Sequence, residues 1–429
     1  MEHGERTTLD QAKPAYTLAG RRPRRGGSMS LRRFALVAGG GTGGHVIPAL
    51  AVARALSTKL GPEAVELVGS RRGLDSQLAL DKGLPITLLP GRGFSRQITA
   101  RGVVQNLAAL AELLVAGVLA VVVVLRRRPA VVVAMGGYAC LPAAIAAVAL
   151  GVPLVLVNLD AVPGAANRLV GKFAKVAAVA FEGTPFPRAV VTGAPVRAEV
   201  AAVSRPDASA RRHARRELGI PPGRHVVAAV GGSLGARSLN EAVLGLATIW
   251  EKRSDVAIYH VVGKRDASWA RQQKPESSRG ALWYTQVAYE ERMALFYQAA
   301  DVVVCRSGAN TVAELTVVGV PAVMVPLPGA PGDHQAANAQ VLERAGAAVV
   351  VQDGGCTPER LGIELDRLLV APELMDAMRS AAARLGRPDA LSTVVAIIEE
   401  QGRARPGGIG VLRKTLSHRA RTRKTGRAR

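Results

Sequence analysis

Two doubly wound, Rossmann-like α/β domains of similar size are what the sequence predicts, on three observations. Short runs of Val, Ile, Leu and Ala alternate with helical stretches along most of the chain. Those runs lack a polar alternate face, which is the mark of parallel strands covered on both sides. And the series strand, glycine loop, helix occurs twice, at residues 33–56 and 225–243. Composition agrees with this class. At 429 residues, with 48% apolar and 3% aromatic residues, the core is built of Ala, Val and Leu, and a disordered or collagen-like chain is excluded.

The first repeat opens with a strand at Phe34–Ala38, a glycine loop, and a helix with Pro48 in its first turn. Further strands are expected at Val65–Val68, Pro85–Leu89, Ala130–Met135, Pro153–Val157 and Val176–Ala180. Residues 190–224, rich in Arg and Pro, read as a connection with a surface helix. The second repeat follows with strands at 225–230, Val256–Val262, Asp301–Cys305, Pro321–Val325 and Ala347–Val351. The domain expectation is a basic, disordered extension at 1–32, a first domain at 33–195, a second at 196–398 and a basic tail at 399–429. Ligands of such sheets bind at the carboxyl ends of the strands, so two facing domains make a cleft.

The net charge of +23 is concentrated at the ends: residues 1–33 carry +5 and residues 402–429 carry +10. These segments favour anionic surfaces, either lipid headgroups or RNA. No aromatic residues interleave with the basic ones, so no specific nucleic-acid partner is expected. No apolar core precedes Leu31, and a secretory signal is not expected. Leu107–Leu125 is apolar apart from Glu112 and is followed by Arg126–Arg128. A membrane span there would place strands of one sheet on opposite sides of a bilayer. A sheet-covering helix with some surface against lipid is expected instead. Cys140, Cys305 and Cys356 have no metal-ligand spacing and read as buried thiols.

Four clusters carry chemistry. Residues 39–45, Gly-Gly-Gly-Thr-Gly-Gly-His, bring backbone N–H groups and a helix N-terminus to a phosphate. The position after the second strand reads Gly69-Ser70-Arg71-Arg72 and lacks the ribose-binding acid of NAD sites. His45 suits a general acid or base, or a hydrogen bond to a diphosphate. The loop Gly231–Gly235 has no Walker spacing and suits one diphosphate held by N–H groups and Ser233, with no metal. In the run 305–314, Glu314 stands one turn into a helix, placed to accept hydrogen bonds from ribose hydroxyls. In the run 333–338, His334, Gln335 and Asn338 form a neutral polar set suited to sugar hydroxyls.

In this order, the segments GGGTGGHVIPALAVA (39–53), MGGYACLPAAIAA (135–147), TGAPVR (192–197), GGSLGARSLNEAV (231–243), CRSGANTVAEL (305–315) and DHQAANAQVLERAGAA (333–348) resemble the GT-B glycosyltransferases of family 28. The resemblance spans about residues 33–395. It is narrowest to those that convert lipid I to lipid II in peptidoglycan synthesis. It implies a GT-B fold and an inverting, metal-independent N-acetylglucosaminyltransferase without cofactor. The donor is UDP-GlcNAc and the acceptor a polyprenyl-diphosphate-linked sugar, met peripherally at the cytoplasmic face of the membrane. It implies that Thr42, Gly43, Gly44 and His45 lie near the acceptor diphosphate. Arg197 and Ser233 would bind the donor phosphates, and the main chain at Tyr289–Glu290 would read uracil. Glu314 would hold the ribose, and His334 and Gln335 the GlcNAc hydroxyls.

One segment departs from the family. Where the family reads His-Glu-Gln-Asn, this chain reads Val157-Asn158-Leu159-Asp160, so the carboxylate has moved by two positions. The family's Gly-Asn-Pro-Val-Arg is Gly193-Ala194-Pro195-Val196-Arg197. Two groups then compete to take the acceptor proton. His45 titrates near neutrality and is kept uncharged by a helix N-terminus. Asp160 is its orienting partner or the alternative base. A related transferase with another acceptor, a UDP-GlcNAc epimerase and a non-catalytic sugar-nucleotide-binding scaffold are the other readings.

Overall fold

The protein was studied as a computed structural model that describes residues 32–40, 43–71, 83–92, 99–273 and 281–404. The extension expected at 1–32 lies outside the described residues but for Arg32. So does the tail from 405 onward.

The first domain is a seven-stranded sheet in the order β3-β2-β1-β4-β5-β6-β7. Its strands are β1 (Ala35–Ala38), β2 (Val65–Ser70), β3 (Ile86–Leu89), β4 (Val131–Ala134), β5 (Leu154–Asn158), β6 (Val176–Val179) and β7 (Ala189–Val191). The second sheet runs β10-β9-β8-β11-β12-β13. It is built from β8 (His225–Val230), β9 (Val256–Val261), β10 (Trp283–Val287), β11 (Val302–Cys305), β12 (Ala322–Met324) and β13 (Ala348–Val350). Every pairing is parallel. In both sheets the strand order reverses beside the opening strand, between β1 and β4 and between β8 and β11. This is the two-domain, Rossmann-like GT-B architecture that the sequence predicts.

Burial on both faces explains the unbroken apolar runs. Ala35 and Val37 of β1 pack into one core cluster, and Leu36 and Ala38 into the cluster on the opposite face. Val226 and Ala228 of β8 are divided from Val227 and Ala229 in the same way. Two strands were not expected. β7 is a three-residue edge strand whose residues are all exposed, and β10, Trp-Tyr-Thr-Gln-Val, mixes polar with apolar residues. The three cysteines are buried, and burial pushes the Cys140 and Cys305 thiols up to about 12.

The long apolar segment is the helix Ala100–Arg127, which connects β3 to β4. By length and composition it is the one described helix able to cross a membrane. Only β2 and β1 lie between the strands it joins, so a crossing would break the sheet. It covers the sheet with Ala116, Ala120 and Val124 and packs on the helix Leu141–Ala149.

The expected boundary at 398/399 needs correction, because it falls inside the helix Ala390–Arg403. That helix belongs to the first domain: Val394, Val395 and Ile398 complete its core. Glu399 pairs with Lys59 at 2.9 Å, and Gly402 lies against the Phe34 ring. The chain therefore crosses between domains twice. The two crossings touch at Gly193 and Arg387, where a Cβ on Gly193 would come within 2.5 Å of the arginine's Cβ. Ile398→Ala should destabilise the protein by about 2–5 kcal/mol, as for other fully buried Ile truncations. Urea unfolding checks this, and a loss under about 0.5 kcal/mol would detach the helix from the core.

Candidate active site

At the first domain's switch point the helix Gly43–Leu60 begins just beyond β1. Gly43 and Gly44 form its first turn, where N–H groups have no partner within the helix. Thr42 lies outside the described residues. His45 is half-buried against Gly136 and Gly137, which follow β4. A Cβ on Gly136 would stand 2.9 Å from His45 Nδ1 and 3.2 Å from Asn167 Oδ1; one on Gly137 would stand 2.3 Å from the Gly40 carbonyl oxygen. Both glycines have positive φ, 98° and 74°. Only a dipeptide without side chains lets β4 pass this close to the histidine.

The rewritten segment at the end of β5 is a turn with a purpose. Asn158 is buried; its Oδ1 accepts from Asn167 Nδ2 at 2.9 Å and its Nδ2 donates to the Asp160 carbonyl at 2.7 Å. Asn158 thus shapes the backbone that carries Asp160, and Asn167 links that turn to the histidine's surroundings. Asp160 Oδ1 accepts from Asn338 Nδ2 at 2.9 Å, across to the second domain.

Asn338 is therefore not free for a sugar, contrary to expectation. It is fully buried, its Nδ2 also donates to the Ser307 carbonyl at 3.1 Å, and its Oδ1 accepts from the Ala161 N–H at 2.8 Å. The neighbouring candidates keep polar atoms in reserve. His334 Nδ1 donates to the Pro331 carbonyl at 2.8 Å, leaving Nε2 as the ring's other polar atom. Gln335 Oε1 accepts from the Leu327 N–H at 3.0 Å, which directs its amide NH2 elsewhere.

Glu314 and Arg197, assigned by resemblance to different parts of one donor, here bind each other. Arg197 Nε and Nη2 donate to the two Glu314 oxygens at 2.8 and 2.9 Å, and the Tyr297 hydroxyl donates to Oε2 at 2.9 Å. Glu314 is 3% exposed, so ribose reaches it only if this fork opens. Burial alone would lower the Arg197 pKa, but the Glu314 carboxylate outweighs it and the guanidinium stays charged. Burial, reinforced by Glu314, pushes the Tyr297 phenol far up, so it remains a donor.

The Gly231–Gly235 loop is braced from beneath. The Lys264 and Arg265 N–H groups donate to the Ser233 and Leu234 carbonyls at 3.2 and 3.1 Å, and a Cβ on Gly263 would meet Gly235 N at 2.1 Å. Ser233 is exposed at the crest. Below lies a network that sequence reasoning missed. Asn240 Nδ2 donates to the Val262 carbonyl and to Asp266 Oδ2, so its Oδ1, 3.1 Å from His260 Nε2, accepts that ring's proton. Burial drives the His260 pKa down to about 3, keeping the ring neutral in this role. Glu290 is also buried. Burial pushes its carboxyl up, but hydrogen bonds from Tyr259, at 2.6 Å, and from Arg292 win and hold it below the usual carboxylate range. Its side chain anchors the segment beyond β10. Arg306, also missed, donates to the Val325 and Pro326 carbonyls and pairs with Asp353, tying the carboxyl ends of β11 and β12 together. Its signal was an arginine directly after an apolar strand.

Comparison with known proteins fits this geometry. Residues 35–179 match the glycosyltransferase family 28 N-terminal domain, and residues 226–394 match the family 28 C-terminal domain. The chain belongs to glycosyltransferase family 28. Within the family it is 37% identical over 374 residues, covering 85% of this chain and 97% of the other, to the UDP-N-acetylglucosamine--N-acetylmuramyl-(pentapeptide) pyrophosphoryl-undecaprenol N-acetylglucosamine transferase of Desulforudis audaxviator. The crystal structure of Acinetobacter baumannii MurG superposes with a TM-score of 0.69 at 30% identity, covering 86% of this chain and 99% of that one. A putative UDP-N-acetylglucosamine 2-epimerase from Listeria monocytogenes, at 18% identity and a TM-score of 0.59 over 87% of this chain and 98% of that one, shares the fold.

For this member of the family the loop brace has a pH signature. The folded His260 pKa lies below the unfolded value of about 6.5. Its contribution to stability is therefore complete above pH 6.5 and declines as pH falls toward 3, by up to about 1.4 kcal/mol per pH unit. Urea unfolding of wild type and His260→Gln at pH 7 and pH 4.5 should show the difference between them shrinking at the lower pH. A constant difference would remove the buried neutral histidine.

Proposed function

We propose that the protein transfers N-acetylglucosamine from UDP-GlcNAc to the MurNAc 4-hydroxyl of lipid I, forming lipid II, at the cytoplasmic face of the membrane. The observation that carries this reading is the Asp160–Asn338 bond. It joins the carboxyl end of β5 to the carboxyl end of β11. In this reading His45 and Asp160 on one side, and the Ser233 loop, Glu314, His334 and Gln335 on the other, border one cleft.

In this reading the donor opens the Arg197–Glu314 fork. The diphosphate takes the guanidinium, the ribose hydroxyls take the Glu314 carboxylate, and Tyr297 continues to hold Oε2. The Gly231–Gly235 amides and Ser233 surround the diphosphate, and His334 Nε2 and the Gln335 amide meet the GlcNAc hydroxyls. The acceptor diphosphate rests on the Gly43–Gly44 amides. The acceptor oxygen attacks the anomeric carbon from the face opposite UDP, its proton passes to His45, and the C–O bond to UDP breaks. The leaving diphosphate gains charge, and fixed N–H groups and Arg197 stabilise it. Asp160 orients the acceptor, held in place through Asn338.

Membrane contact is peripheral in this reading. The helix Ala100–Arg127 exposes Leu107, Leu114, Val118 and Leu125, with Leu114 and Val118 at 66% and 67%. Its internal acid Glu112 is neutralised by Arg92, and Arg126 and Arg127 close it. An apolar stripe edged by cations fits an anionic leaflet.

Two measurements test the proposal. His45→Ala should lower kcat with UDP-GlcNAc and lipid I by about 10²–10⁴-fold with donor affinity unchanged. Asp160→Asn, whose amide oxygen still accepts from Asn338, should stay within a few-fold of wild type; the reverse pattern would make Asp160 the base. The protein should sediment with membranes and be released by carbonate or high salt. Release by detergent alone would contradict a peripheral contact.

A further inference from the structure

At the amino edge of the second sheet, opposite the Ser307 edge, lies a cleft of about 380 Å3. Ala300, just before β11, and Val320, just before β12, form its floor, and Arg205, Arg211, Arg379 and Arg384 line it. Among the described residues only Arg379 has carboxylate partners, Asp376 at 2.7 Å and Asp301 at 3.5 Å. Arg205 donates to the Ala383 carbonyl at 3.1 Å. Arg211 Nε is buried without a hydrogen-bond acceptor. Burial and the like charges of Arg379 and Arg215 lower the Arg211 pKa, only partly offset by Asp301 and Asp376.

Arg205, Arg211 and Arg384 line the cleft with no carboxylate partner among the described residues, Arg379 repels Arg211, and a buried N–H donor without an acceptor is costly. A multiply charged anion with several acceptor oxygens removes both penalties. The planar donor fork of arginine matches phosphate oxygens in pairs. A single carboxylate would neutralise only one of the three unpaired charges.

We propose that this cleft is a binding site for a phosphate-bearing anion of two or more negative charges, separate from the sugar-nucleotide cleft. Tyr297 connects the two, because it lines the cleft while its hydroxyl donates to Glu314.

The test is calorimetric titration of the full chain with inorganic pyrophosphate, in saturating UDP so that the donor cleft is filled. The readout is the difference between wild type and variants. Arg211→Gln with Arg384→Gln should remove one equivalent of binding or weaken it about 100-fold, at about tenfold for each charge-assisted contact. Arg384→Gln alone, at an exposed position, should weaken it about tenfold without a change in Tm, which covers the case of a double variant that fails to fold. Binding that is absent from wild type, or equal in all three proteins, overturns the proposal. Because the readout depends on Arg211 and Arg384, it stands apart from the assignment of the donor cleft. Cardiolipin vesicles, whose headgroup carries two phosphates, would identify a lipid headgroup as the source if they displace pyrophosphate from wild type. Displacement by ATP and not by vesicles would identify a soluble phosphate; both results retain the site.

Discussion

The buried amide of Asn338 is the constraint on which the cleft depends. Three hydrogen bonds meet at it, two donated to Asp160 and the Ser307 carbonyl and one accepted from Ala161, and the partners lie at the carboxyl ends of strands in different sheets. A buried amide left with any of these unmade would cost about 1–3 kcal/mol, so the domains are held in one approach. Two of the candidate groups are tied to that contact. His45 is reached from Asp160 through Asn158 and Asn167, and Gln335 through Ser307, whose hydroxyl donates to its carbonyl.

The second organising element is the charge pair Arg197–Glu314. Removing one partner of so buried a pair leaves an unmatched charge, at about 3–5 kcal/mol. Yet Arg197 N-caps the short helix Ala198–Ala201 after the first crossing, while Glu314 sits in the helix Ala309–Val318. The pair therefore joins the connection between domains to the helix that follows β11. A ligand that carries both an anionic group and hydroxyl donors can replace each partner for the other, so opening the fork leaves no buried charge unmatched.

Much of this was legible in the residues. The β1 and β8 repeats announce themselves because burial on both faces demands unbroken apolar runs, and glycine loops act through their own backbone. What escaped was tertiary. β7 is exposed at a sheet edge, so nothing forces an apolar pattern on Ala189–Val191. Asn338 reads as a sugar-hydroxyl ligand until Asp160, 178 positions away, arrives beside it. Arg197 and Glu314 were each assigned to the donor, but their pairing over 117 positions has no local signal. Tyr297, Asn167 and the His260–Asn240–Asp266 network act by supporting other groups, a role that no motif encodes. The position of the helix Ala390–Arg403 was misjudged for the same reason: amphipathic spacing reveals a buried face but not the domain that buries it.

That last helix also sets the order in which the molecule is completed during synthesis. The second domain is contiguous from about Arg197 to Leu385 and has its full core once that stretch has been made. The first domain, though translated earlier, lacks Val394, Val395 and Ile398 until the whole second domain has been made. At ribosomal rates of roughly 10 residues per second, the part of its sheet that this helix covers, over β4 and β5, waits about 20 s. The half that is made first is thus finished last, and during that interval the apolar patch awaiting this helix is open to a chaperone.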